Sequence, residues 1–155
     1  MSRPVAAVLT LKLASISLAA LTLSACGMGS ASLRGADGQL QPCGARHCVS
    51  SLSDDPTYAI EPLRYAGDRG VAHATLIGAL KGMPGVAVAT DTPDYVHATA
   101  TTALMRYVDD MEFVFPADAS VIQLRSSSRL GYSDLGANRK RIETLRERFM
   151  AAQPR

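Results

Sequence analysis

The chain predicts an α+β domain: a four-stranded, mainly antiparallel sheet with two helices on one face, preceded by an extended N-terminal wrap. Three observations carry this. Two segments place apolar residues at three-and-four spacing, and four extended segments lie between them. The stretch ahead of the first helix is too rich in proline to hold a long helix of its own. A length of 155 residues allows one core and no second domain.

Residues 42–65 carry Pro42, Pro56 and Pro62 among the serines Ser50, Ser51 and Ser53, which makes them the wrap. Asp68 is a fitting N-cap for a helix to about Lys81, with His73, Leu76, Ile77 and Leu80 on its apolar stripe. Gly82, Pro84 and Gly85 end it. Four extended segments follow, at residues 86–90, 95–104, 108–115 and 120–127. In the third, Met111, Phe113 and Phe115 share one face and Asp110, Glu112 and Val114 the other; in the fourth, Ile122 and Leu124 alternate with Gln123 and Arg125. The turn signal "PADA" between them predicts a hairpin. The last segment, about 137–152, puts Ile142, Leu145 and Phe149 on one stripe and most of Arg139, Arg141, Arg146 and Arg148 off it. Antiparallel sheets bury one face, and two amphipathic helices can cover it.

Residues 1–25 read as an export signal: Arg3 and Lys12 supply the positive region and residues 13–23, "LASISLAALTL", the apolar one. Lys12 interrupts the run of about 20 apolar residues that a membrane span needs. The ending "LSAC" resembles the bacterial lipobox, so Cys26 is the expected lipid attachment. Acyl chains would hold the protein at a membrane surface. Residues 26–41, rich in Gly, Ser and Ala, are expected to form a flexible tether, and residues 42–155 the single domain. This places the protein in the bacterial cell envelope. Gly27 after the cysteine, in place of Asp, resembles release to the outer membrane facing the periplasm.

The signal contains two of the 16 basic residues and none of the 14 acidic ones, so the mature chain is formally neutral. That argues against a nucleic-acid partner, whose affinity needs Lys and Arg contacts to phosphate. The acids concentrate in residues 54–118 and the bases in residues 125–148, which predicts that the two stretches meet in space. In an exported chain Cys43 and Cys48 are expected to pair as a disulfide. The alternative is a metal site recruiting His47, His73 or His97, but zinc favours tighter, repeated spacings.

Between the fourth strand and the last helix runs "VIQLRSSSRLGYSDLGANRKR", residues 121–141. Gly131, Gly136, Ser133 and Asp134 answer to turn and cap chemistry, with Ser133 or Asp134 as the helix cap. The arginines do not. Arg125 and Arg129 have no use in a turn, and Arg139 opposes the positive end of the helix macrodipole. Two readings stand. Either Arg125, Arg129 and Arg139 pair with Asp109, Asp110 and Asp134 as an internal network, or the turn holds an external anion through Arg125, Ser126, Ser128, Arg129, Ser133, Asp134, Asn138 and Arg139.

Three stretches carry a family resemblance: "HCVSS" (residues 47–51), "RYVDDMEFVF" (106–115) and "VIQLRSSSRLGYSDLGANRKRIETLR" (121–146). Together they resemble the bacterial family known as domain of unknown function 1499, over roughly residues 43–150. The most specific match is S-x-S-R-x-G-x-S-D-x-G-x-N-R, carried by Ser126, Ser128, Arg129, Gly131, Ser133, Asp134, Gly136, Asn138 and Arg139. Two positions depart from the family pattern: His47 stands where the family usually has Asn, and Tyr58 where it has His. The resemblance implies an envelope or membrane-linked protein and brings no mechanism with it.

Enzyme chemistry finds weak footing. Serine hydrolysis would draw on Ser126 to Ser128 or Ser133, with His97 and Asp109 or Asp110, yet there is no G-x-S-x-G elbow. Asp109 and Asp110 fall on opposite faces of a strand, which weakens two-carboxylate catalysis. A disulfide would consume the cysteine nucleophiles. The sequence therefore favours a lipid-anchored binding or structural module, needing no cofactor or metal, whose partners are the membrane and an anionic small molecule or envelope polymer. The alternative is a hydrolase acting on an envelope ester or phosphoester.

Overall fold

The computed structural model describes residues 33–35 and 37–154. The signal segment 1–25 and Cys26 lie outside them, and the tether 26–41 is described over residues 33–35 and 37–41 only. Among the described residues no helix is long and apolar enough to cross a membrane.

In chain order the elements are β1 (Cys48–Ser50), β2 (Leu63–Arg64), α1 (Arg69–Lys81), β3 (Val86–Thr92), β4 (Tyr95–Thr101), β5 (Val108–Val114), β6 (Val121–Ser128) and α2 (Ala137–Ala152). The class is α+β, as the sequence predicts, and β3 to β6 are the four expected strands, each antiparallel to the next. The sheet nevertheless has six strands, not four. The far edge of β6 is shared by two short strands from the wrap: β1 pairs with its end, Val49 opposite Ser126, and β2 with its start, Leu63 opposite Ile122. The wrap is thus built into the sheet edge, where it satisfies backbone groups that an open edge would leave to other chains.

Local chemistry sets the boundaries. Asp68 caps α1, accepting from the Val71 amide at 2.9 Å. Gly85 turns the chain into β3 at φ 72°, and a Cβ there would lie 2.6 Å from the carbonyl oxygen of Thr101. One face of the sheet makes the core. Val96 and Ala98 of β4, Met111 and Phe113 of β5 and Ile122 and Leu124 of β6 pack with Leu76 and Leu80 of α1 and Ile142, Leu145 and Phe149 of α2. Full burial of such a leucine or phenylalanine stabilises by about 1.5–3 kcal/mol.

Among the described residues no helix lies on the other face, which carries Tyr95, His97, Asp110, Glu112 and Arg125, most of them buried. The described part of the tether reaches this face: Arg34 and Leu40 form an antiparallel bridge, Arg34 Nε donates to the Gly38 carbonyl at 2.6 Å, and the Arg34 guanidinium stacks on the Tyr95 ring at 4.5 Å.

Candidate functional site

Strand alternation divides the serine–arginine stretch between two clusters. Ser126 points towards the helices together with Ile122 and Leu124, whereas Gln123, Arg125 and Ser127 belong to the second face. The consequence is that the eight residues expected to form one site do not gather around one space.

On the helix side the centre is Asn138, fully buried at the start of α2. Its side-chain oxygen accepts from Ser126 Oγ at 2.5 Å and from Arg141 at 3.0 Å. Its side-chain nitrogen donates to Asp134 at 2.7 Å and to Ser128 Oγ and the His47 carbonyl at 3.1 Å each. Arg141 continues to Asp109 at 2.6 Å, closing a buried ion pair. Burial pushes the Asp134 carboxyl up, but the bonds from Asn138 and from the Gly136 amide outweigh it and hold the group below the usual carboxylate range. The helix cap differs in detail from expectation. Gly136 occupies the N-cap position at φ 82° with no side chain to offer, and the Asp134 carboxylate receives the Asn138 amide at 2.8 Å. Ser133 stays exposed and accepts from the Leu135 amide at 3.3 Å. Asn138 ties the turn to β6 and to His47, whereas Ser133 bonds within the turn itself.

On the second face two units sit side by side. His97 Nε2 lies 2.8 Å from Asp110 Oδ1, and Arg129 grips both oxygens of Asp110 through Nε and Nη2 at 2.8 Å each. Burial raises the Asp110 pKa, yet the hydrogen bonds from Arg129 and His97 prevail and lower it to about 2. The same contact raises the Arg129 pKa. Next to it Glu112, fully buried, accepts from Tyr95 Oη and from Arg125, both at 3.1 Å. Here burial dominates over the attraction of Arg125 and keeps the Glu112 pKa raised. The Tyr95 phenol is raised too, by burial and then by the Glu112 charge.

The three arginines therefore take three kinds of partner. Arg129 binds Asp110, Arg125 binds Glu112, and Arg139 donates to the backbone carbonyls of Ala59 at 2.8 Å and Thr57 at 3.2 Å. Asp109 faces the helices and so pairs with Arg141 of α2 rather than with an arginine of the turn. Cys43 and Cys48 form the expected disulfide, with Cα atoms 5.6 Å apart, which removes both thiols from the metal-ligand alternative. His47 Nδ1 lies 3.4 Å from Ser127 Oγ.

Beside the turn is an open recess of about 390 Å³ lined by Gly44, Ala45, Arg46, Tyr58, Gly131 and Tyr132. Arg46 is exposed and makes no ion pair with the described residues. It was missed in the sequence because it looks like filler in "CGARHC"; the signal was there in the disulfide, which would pin a four-residue loop and any cation on it. Glu112 and Tyr95 were missed as a polar pair because their meeting depends on the register of β4 against β5, which puts His97 opposite Glu112 and Tyr95 two pairs along, on the same face.

An antiparallel sheet with two helices on one face and an ion-paired second face defines the class of domain. The chain belongs to the family described as "Protein of unknown function (DUF1499)", which matches residues 39–149. The match takes in both clusters and the disulfide. No curated protein matches the sequence.

Proposed function

We propose that the protein is a lipid-anchored binding module of the bacterial cell envelope, tied to the membrane through Cys26, whose β6–α2 turn contacts an anion. The observation that carries this reading is the recess beside the turn, where Arg46 stands exposed and without an ionic partner among the described residues. Arg129 lies two residues before Gly131 in the chain. Its Nε and Nη2 are committed to Asp110, and its Nη1 has no partner among the described residues. The serines, Asn138 and Asp134 support the turn rather than meet the ligand. Arg125 and Arg139 hold the sheet face and the wrap. The hydrolase alternative gains nothing from the geometry: His97 bonds to Asp110, and among the described residues no serine bonds to it.

Melting temperatures of the full chain with millimolar phosphate or citrate, at fixed ionic strength, test the reading. Phosphate should raise the wild-type Tm by mass action. Arg46→Gln should leave the anion-free Tm unchanged and abolish the gain, whereas Arg129→Gln should lower the Tm in either condition, because it strips Asp110 of its fork. No gain in the wild type rejects the anion site.

A further inference from the structure

We infer that the end of the sheet bearing the β4–β5 loop and the β6–α2 turn docks onto the anionic headgroups of the membrane that holds the anchor. This rests on the proposed lipid anchor and names the anion source that the turn would meet.

Leu104 is 88% exposed and Leu135 96%, and Met105, Tyr107, Leu130 and Tyr132 stand exposed around them. They lie on the β4–β5 loop and the β6–α2 turn, which share one end of the sheet and make up the patch. The Arg129 amide donates to the Val108 carbonyl at 3.1 Å, carrying the β5–β6 pairing beyond its last register pair, so Tyr107 and Leu130 come next to one another. Arg106 and Leu135 are the non-glycine residues with positive φ among those described, at 56° and 52°. Bulky side chains rarely accept that conformation, so the backbone strains to present Leu135 to solvent.

Charge selects the occupant. The acids at this end are already engaged, Asp109 by Arg141, Asp110 by Arg129 and Asp134 by Asn138. Arg46 and Arg106 are exposed and make no ion pair with the described residues, so the patch presents apolar tips among uncompensated positive charge. Tyrosines, with apolar rings and polar ends, suit the headgroup level. The apolar tips project from two loops at one end of the sheet. Such a surface fits shallow insertion into an anionic bilayer. The tether permits it: Arg34 sits on Tyr95, and β4 separates Tyr95 from the patch by about 20 Å. The eight residues from Cys26 to Arg34 span up to about 27 Å.

The chain has no tryptophan, so one introduced indole reports alone. Leu104→Trp and, at the opposite end of the sheet, Ala117→Trp would be made in the full chain and reconstituted in vesicles of phosphatidylglycerol and phosphatidylethanolamine with brominated acyl chains. The emission of Leu104→Trp should shift to the blue and be quenched several-fold more than that of Ala117→Trp. Adding Arg46→Glu and Arg106→Glu, or substituting phosphatidylcholine, should remove most of the difference. Equal quenching at both positions overturns the inference, as does a blue shift that grows with protein density but ignores bromine, which would mark contact with a second copy. Fatty-acid labelling of Cys26 separates the two claims. An unlabelled chain refutes the anchor by itself, and the probe is then read on vesicles added to the free chain, where lack of quenching refutes docking. Quenching without a phosphate effect on Tm would keep the docking and remove the discrete anion site.

Discussion

Asp110 shows how strongly one carboxylate can be held by two neighbours. With its pKa lowered from 3.8 to about 2, the unfolded chain takes up this proton before the folded one does as pH falls. The stabilisation is complete above about pH 4 and is lost as pH falls towards 2; its size is on the order of 2 kcal/mol. Glu112 acts in the opposite sense: its pKa is raised, so its contribution is present at low pH and declines as pH rises through its folded value. The two overlap in the wild-type profile, and Asp110→Asn separates them. Denaturant unfolding of wild type and Asp110→Asn between pH 5 and 2 should show the stability difference shrinking towards the acid end. A difference that stays constant across that range would mean Arg129 and His97 do not favour the ionised form. Alternation along "YVDDMEF" already put Asp109 and Asp110 on opposite faces, so their separate partners were legible in the sequence. Which arginine each would find was not, because that depends on the pairing of strands and on α2.

At the scale of elements, the regular pieces were readable and the short ones were not. Helices α1 and α2 and strands β3 to β6 each carry enough residues for a period to repeat. β1 and β2, at three and two residues, do not, and they exist because the edge of β6 needs partners. The β6–α2 turn illustrates a further limit: its glycines were expected, but the positive φ of Leu135 was not, since leucine carries no signal for the left-handed region. That residue supplies a test. Asparagine tolerates this conformation far better, and a non-glycine residue held there costs roughly 1–2 kcal/mol. Leu135→Asn should therefore raise stability by about 0.5–1 kcal/mol, read as a Tm increase of a few degrees, while weakening association with anionic vesicles. A fall in Tm would show that Leu135 is held by packing rather than strained into view.

Across the whole molecule the acidic middle and the basic end do meet, through Asp110–Arg129, Glu112–Arg125 and Asp109–Arg141. Other donors of α2 and its C-cap go to backbone carbonyls of the wrap. Arg139 donates to the carbonyls of Thr57 and Ala59, Arg146 to those of Glu61 and Pro62, and Gln153 to that of Arg64. The helix thereby fastens the wrap along residues 57–64, the segment that supplies β2 to the sheet. No sequence pattern could have announced this, because every residue has a carbonyl and only the fold decides which ones come within reach. Bonds from charged donors are worth about 1.5–3 kcal/mol each when buried. Arg139 and Arg146 are partly solvated, so the double variant Arg139→Gln, Arg146→Gln should lose about 2 kcal/mol in total. The loss should be local. Hydrogen exchange read by mass spectrometry should speed up first in residues 57–64, with β4 and β5 protected as before, since they keep their core and their register. Faster exchange spread evenly over the sheet would mean that the wrap has no stability of its own and that the arginines act on the domain as one cooperative unit.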